Sequence, residues 1–273
     1  MKKLGLIAGN GELPIAVAVE ARGQGYSVHA VGLEPLAEKA LAGAVDDIRW
    51  INVGRLGELI DYFKQAGITE AVMAGKVPKT LLYKSKITPD LRAIKLLFTL
   101  KDRSDDAILL AITRELEKDG IRLLNTTAFT TAMLTPEGVL TETRPSENDW
   151  KDIAFGWKIA KEIGKLDIGQ TVVVKNQAVM AVEAIEGTDE AIRRGGRLAG
   201  EAAVIVKVSK PQQDMRFDVP VVGIDTLKAM MDVNARVLAV EAGNSIFLQK
   251  AKMIREADAS GIAIVGVRNE LSS

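Results

Sequence analysis

Short apolar runs alternate with longer amphipathic ones through the first half of this chain. Leu4–Ala8, Tyr26–Val31, Asp47–Asn52 and Glu70–Ala74 read as strands. Between them, Leu13–Arg22 and Leu56–Gln65 carry helical spacing, and Gly67 closes the second helix as a C-cap would. Strands alternating with helices predict a parallel sheet covered on both faces. Two further helices follow at Pro89–Leu100 and Ser104–Lys118, then a strand at Ile121–Leu124. Ser104, Asp105 and Asp106 place a capping residue and acids at the positive end of the second of these helices. Turn formers then gather in Thr135-Pro136-Glu137-Gly138 and Arg144-Pro145-Ser146. They predict a boundary between an N-terminal Rossmann-like domain over 1–134 and a C-terminal catalytic, mixed α/β domain over 135–273.

The second half opens with a helix at Glu147–Ile163. Thr171–Val174 and Ala178–Glu183 flank Lys175-Asn176-Gln177 and read as a β-hairpin. A helix starts at Thr188, and Ala203–Val208 and Val219–Val222 are strand-like. Thr226–Met231, Val237–Val240, Ile246–Leu248, Lys250–Ala257 and Ile262–Val265 complete a second α/β unit. There is no internal repeat. The whole chain is thus an α/β protein of two domains, the number its 273 residues favour.

Composition removes several chemistries. Cysteine is absent, which excludes disulfides, thiolate metal sites and a cysteine nucleophile. One histidine, His29, cannot furnish a zinc or dinuclear phosphatase site built on imidazoles. Thirty-six basic residues balance thirty-six acidic ones, so no general nucleic-acid binding is expected. The apolar run after Lys2 and Lys3 is shorter than the roughly 7–15 residues of a signal-peptide core. No window approaches the ~20 apolar residues of a membrane helix. A cytoplasmic, soluble chain is expected, with peripheral contact at the cytoplasmic face of the inner membrane and a homodimer both left open.

Polar residues that packing does not require mark the candidate chemistry. Gly9, Asn10 and Gly11 lie between the first strand and the first helix, where backbone amides approach a phosphate or form a plain tight turn. As a dinucleotide fingerprint the segment fails: Pro14 takes the third glycine position, and no acid ends the second strand. Gly75 and Lys76 end the fourth strand, where Lys76 is a phosphate contact or a solvated loop residue, and Arg103, just before a helix start, is a candidate phosphate clamp. Gln170 is a candidate base or sugar contact. In Ala181–Arg194, Glu183 ends an apolar strand, Thr188 is a helix cap, and Asp189 and Arg193 stand four apart as a surface pair would. A lone carboxylate at Glu183 is costly to bury without a partner. Lys207, Lys210, Asp214, Arg216 and Asp218 crowd a segment stiffened by Pro211 and Pro220.

Six segments taken together are more specific. LGLIAGNGELP (4–14), AGKV (74–77), DDAIL (105–109), LDIGQ (166–170), AVEAIEGTDEAIRR (181–194) and KPQQDMRFDVPVVG (210–223) resemble the LpxI type of UDP-2,3-diacylglucosamine pyrophosphatase, over almost the whole chain. The resemblance implies hydrolysis of a lipid-linked nucleotide sugar to UMP and 2,3-diacylglucosamine 1-phosphate, in lipid A biosynthesis, with Mg2+ as cofactor. It matches the family's important aspartate to Asp218. Pro78-Lys79-Thr80 departs from the family's pattern. On this reading Asp218, Glu183 and Lys210 are catalytic, and Asp218 and Asp189 ligate metal. Gly9, Asn10, Gly11, Gly75, Lys76, Arg103, Gln170, Thr188, Asp189, Arg193, Lys207 and Arg216 bind substrate. The two rivals are a nucleotide-sugar oxidoreductase and a non-catalytic carrier of an acylated sugar phosphate.

Overall fold

In the computed structural model, the described residues are 1–78, 88–100, 105–212, 214, 216 and 219–268. They form two compact units. The first spans Met1–Thr131, with Arg216 grouped alongside it, and the second begins at Ala132.

The first unit holds a five-stranded parallel sheet. Its strands are β1 (Lys2–Ala8), β2 (Tyr26–Glu34), β3 (Asp47–Asn52), β4 (Glu70–Ala74) and β5 (Arg122–Leu123), in the order β3-β2-β1-β4-β5. Helices α1 (Leu13–Gly23), α2 (Leu56–Gln65), α3 (Leu91–Thr99) and α4 (Asp105–Lys118) supply the crossovers and flanks. β1 is buried on both faces because it is central, and its sequence is accordingly a continuous apolar run rather than an alternating one. Pro14 falls in the first turn of α1, where a missing N–H costs nothing. A packed layer of Ile7, Ile51, Leu59, Ile60, Phe63 and Leu116 binds α2 and α4 to the sheet.

The second unit is built on a mixed six-stranded sheet. Its strands are β6 (Gly138–Val139), β7 (Thr171–Lys175), β8 (Ala178–Val182), β9 (Val204–Lys207), β11 (Val237–Glu241) and β13 (Ala263–Val267). Their order is β6-β13-β11-β9-β7-β8. β9, β11 and β13 run parallel; β7 joins β9 antiparallel, and β8 joins β7 antiparallel. A separate pair, β10 (Val221–Val222) and β12 (Ile246–Phe247), is parallel. β7 and β8 turn over Asn176 and Gln177, both at positive φ, as a tight hairpin needs. Asp152 accepts from the backbone amides of both turn residues at 2.9 and 2.6 Å.

Helix α5 (Glu147–Lys165) opens with a capping box: the Ser146 side chain accepts from the Asp149 amide, and the Asp149 carboxylate accepts from the Ser146 amide. Its Ile153, Trp157 and Ala160 pack on Val172, Val174, Val204 and Val206, one face of the sheet. On the opposite face α6 (Thr188–Ala199), α7 (Ile224–Met231) and α8 (Lys250–Ala259) cover Val173, Ile205, Leu238 and Ile264. Consecutive strand residues therefore look alternately toward α5 and toward α6, which fixes where each polar residue at the strand ends can reach. No described helix is long and apolar enough to cross a membrane.

Candidate active site

The carboxyl ends of β9, β11 and β8 meet the start of β7 along one edge of the C-terminal sheet. Ligands of open α/β sheets gather at such an edge. Two buried polar clusters lie there, one on each face.

On the α6 face, Lys207 ends β9 at 2% exposure and stands opposite Thr171 in the ladder. Glu183 follows β8, and its amide donates to the Thr171 carbonyl at 2.8 Å. Gly187, at φ 86°, carries the backbone into α6 as its N-cap, without a side-chain capping bond. The expectation that Thr188 caps the helix is therefore replaced by another role. Its hydroxyl donates to Glu183 Oε1 at 2.9 Å and accepts from Lys207 Nζ at 3.0 Å. Cation, hydroxyl and carboxylate form one chain in which all three residues are buried. Glu183 is thus the buried carboxylate its sequence position implies, and it has partners. The Gln170 amide adds a long bond of 3.4 Å to Glu183 Oε2. The Gln170 Oε1 and Thr171 Oγ1 atoms are buried beside this chain with no hydrogen-bond partner among the described residues.

On the α5 face, Glu241 ends β11 and is buried. Its Oε2 accepts from Lys161 Nζ at 2.6 Å, the Ser209 amide at 2.7 Å and Ser209 Oγ at 2.8 Å. Asn244 Nδ2 donates to Oε1 at 3.0 Å. Burial alone would raise this carboxyl's pKa; bonds from Lys161, Asn244 and Ser209 outweigh it and hold the group below the usual glutamate range. The sequence reading did not single out Lys161, Ser209, Asn244 or Glu241. One signal was present, since Glu241 closes the apolar run Val237–Val240 as Glu183 closes Ala178–Val182.

Other expected site residues fall in different places. Lys210 Nζ donates to Asp167 Oδ1 at 2.6 Å, just past the Lys207 end of β9. Asp189 is half-buried in the first turn of α6, where an acid complements the helix dipole. Arg193 does not pair with Asp189. It binds Glu190 Oε1 at 2.7 Å and Asp232 Oδ2 at 3.1 Å, because Asp232, just past α7, comes within reach. Arg194 pairs with Glu186 and donates to the Val182 carbonyl.

In the first unit, Gly9, Asn10, Gly75 and Lys76 are brought together. The Asn10 amide donates to the Lys76 carbonyl and the Lys76 amide to the Asn10 carbonyl, each at 2.9 Å. A Cβ on Gly9 would fall 2.7 Å from Lys76 O, and one on Gly75 would fall 2.7 Å from Asn10 O. Both glycines are required by this clasp of one loop on the other. Gly11 faces open space. The Arg216 carbonyl lies 3.1 Å from Thr126 Oγ1, which also donates to the Met73 carbonyl at 2.7 Å. Asp218, Arg103 and Lys79 lie outside the described residues.

Among the described residues, no three acidic or imidazole groups converge as a metal-binding set. Asp189 supplies one carboxylate, and Glu183 is engaged by Thr188. His29 lies within β2, with Nε2 3.3 Å from Ser27 Oγ.

Comparison with known proteins adds the family. The model of the LpxI N-terminal domain matches residues 3–133, and that of the LpxI C-terminal domain matches residues 136–265. A relative from Caulobacter vibrioides, the UDP-2,3-diacylglucosamine pyrophosphatase LpxI, is 32% identical over 281 residues, covering 98% of each chain. Among solved structures, phosphoribosylglycinamide synthetase from Anaerococcus prevotii overlaps 64% of this chain and 32% of its own, at 16% identity and a TM-score of 0.28. The ADP complex of the N5-carboxyaminoimidazole ribonucleotide synthetase purK overlaps 70% and 34%, at 16% identity and a TM-score of 0.28. The chain spans about a third of each of those two proteins, and overlaps this loose bear on neither topology nor function. Both domain models in their own order, together with a relative matched over almost its full length, make this chain a member of the LpxI family.

Proposed function

We propose that this protein hydrolyses the diphosphate of UDP-2,3-diacylglucosamine, releasing UMP and 2,3-diacylglucosamine 1-phosphate. The observation that carries the reading is the Lys207–Thr188–Glu183 chain at the carboxyl edge of the sheet. It is a buried cation held by a hydroxyl, beside a carboxylate, in a member of a family whose Caulobacter vibrioides relative bears that activity in its name. Hydrolysis of a phosphoanhydride needs charge neutralised on the phosphoryl oxygens and a water directed at one phosphorus. Lys207 and Lys210 supply the cations in this reading. Glu183 holds Thr188, and through it Lys207, in one orientation. Asp218 is the group assigned to the water, on the strength of the family resemblance.

Magnesium belongs to the same reading. It would polarise a phosphoryl oxygen and ready a water. The described acids do not by themselves make a set for it. In attack at the β phosphorus, the bond to the bridging oxygen breaks and UMP keeps that oxygen. The sugar phosphate then gains its oxygen from water. The reading also places the reaction at the cytoplasmic face of the inner membrane, where a diacylated substrate is met, and allows a homodimer.

The test is direct. Purified protein with magnesium and UDP-2,3-diacylglucosamine should release UMP, and EDTA should stop it. In 18O-labelled water the label should enter the lipid product. Asp218→Ala should still bind substrate but release no UMP. Binding by the wild type without UMP would instead make it a carrier and end the hydrolase reading.

A further inference from the structure

Ser209 is where the chain leaves the apolar run that carries Lys207, and it is buried. A segment leaving a sheet edge usually gives its backbone groups to water. Here every polar group of Ser209 is engaged by one ion pair. Its amide and its hydroxyl donate to Glu241 Oε2 at 2.7 and 2.8 Å, and its carbonyl accepts from Lys161 Nζ at 2.9 Å. Lys161 Nζ and Glu241 Oε2 are themselves 2.6 Å apart. The next residues run along the end of α5. Lys210 reaches Asp167, and Gln212 Nε2 donates to the Gly164 carbonyl at 2.9 Å. The segment lies in van der Waals contact with α5 at Gly164, where a Cβ would stand 3.4 Å from Lys210 Cα.

A buried ion pair adds little net stability over apolar residues of the same volume. Its charged hydrogen bonds are short and directional, and orientation is what they supply. We propose that Lys161 and Glu241 are positioning residues: they clamp Ser209 between them and so present Lys210 to the diphosphate. The clamp depends on the hydrolase reading for what it presents, and not for its existence.

The test is Glu241→Gln in the full chain, read by amide hydrogen exchange and by steady-state release of UMP. Exchange over residues 209–212 should rise about tenfold, as expected when a local tether is lost. The kcat should fall at least about tenfold with KM within about threefold, the pattern of a group acting in the transition state. Ile153→Val, on the buried face of α5, serves as the control: it should lose stability without changing exchange at 209–212 or kcat. Where Glu241→Gln does not fold, Ser209→Ala removes one bond of the clamp and should raise the same exchange about threefold. Unchanged exchange at 209–212 in a folded variant overturns the proposal, as does an equal rise in Ile153→Val. Failure of the wild type to release UMP would sink the hydrolase reading, while the exchange result would still decide the clamp.

Discussion

Thr188 shows how much one hydroxyl can organise. It is a donor to Glu183 and an acceptor from Lys207, so removing it takes a hydrogen bond from each of two buried charged groups at once. Thr188→Val, nearly the same shape, should destabilise the protein by on the order of 1–3 kcal/mol. It should also lower turnover at least about tenfold. Thr188→Ser should keep most of both, and equal behaviour of the two variants in thermal melts and UMP release would refute the role. Glu183 was legible in the sequence because an acid closing an apolar strand is costly unless something receives it. Thr188 was legible as a residue but not in its role, because the positive φ of Gly187 takes over the turn into the helix. Glu241 carried the same signal as Glu183, yet its partner Lys161 lies 80 residues away on a helix whose pattern marks it only as half-exposed. Spacing along the chain cannot reveal such a pair. Arg193 is the converse: an i,i+4 partner was available in Asp189, and Asp232 from another element displaced it.

At the scale of elements, the alternating strands and helices were readable throughout, because each buried strand is a continuous apolar run and each helix turns one face to the core. The two-residue β6 was not, since Gly138-Val139 has too little pattern to distinguish it from the turn around it. The loops after β1 and β4 read as phosphate contacts or as plain turns, because glycines there permit close approach. Close approach is what they provide, to each other. Gly75, at φ 90° and with Asn10 O in the way of any Cβ, tolerates no side chain. Gly75→Ala should therefore unfold the first unit at a lower temperature, by on the order of 1–3 kcal/mol from strain and overpacking. Calorimetry resolving the two units would check it, and an unaltered melt would exclude the clasp as a structural need.

Across the whole molecule, several carboxylates are held below their usual range by partners. Lys118 hydrogen-bonds Glu115, and Lys64 and Arg92 engage Asp119. In the second unit, burial of Glu241 is outweighed by its donors. Groups depressed in the fold contribute stability at pH values above their unfolded pKa, and that contribution is lost as pH falls through the folded value. Thermal stability should hold from neutral pH down to about 4.5 and then fall, more gently in Glu241→Gln than in the wild type. A flat profile to pH 3 in the wild type would contradict the assignment.

The place of β6 beside β13 has a temporal side. The second unit's first strand pairs with its last: Val139 stands opposite Val265. Along the sequence, every other strand of the sheet falls between them. A chain emerging from the ribosome must therefore hold Gly138-Val139 without its neighbour until residues 263–267 have been made. The polar edge waits with it, because Lys161 and Ser209 gain their carboxylate only when Glu241 arrives at the end of β11. A nascent chain that has displayed Glu183, Thr188 and Lys207 still lacks the clamp on Ser209. That clamp comes only once residues 237–241 have joined the sheet beside β9.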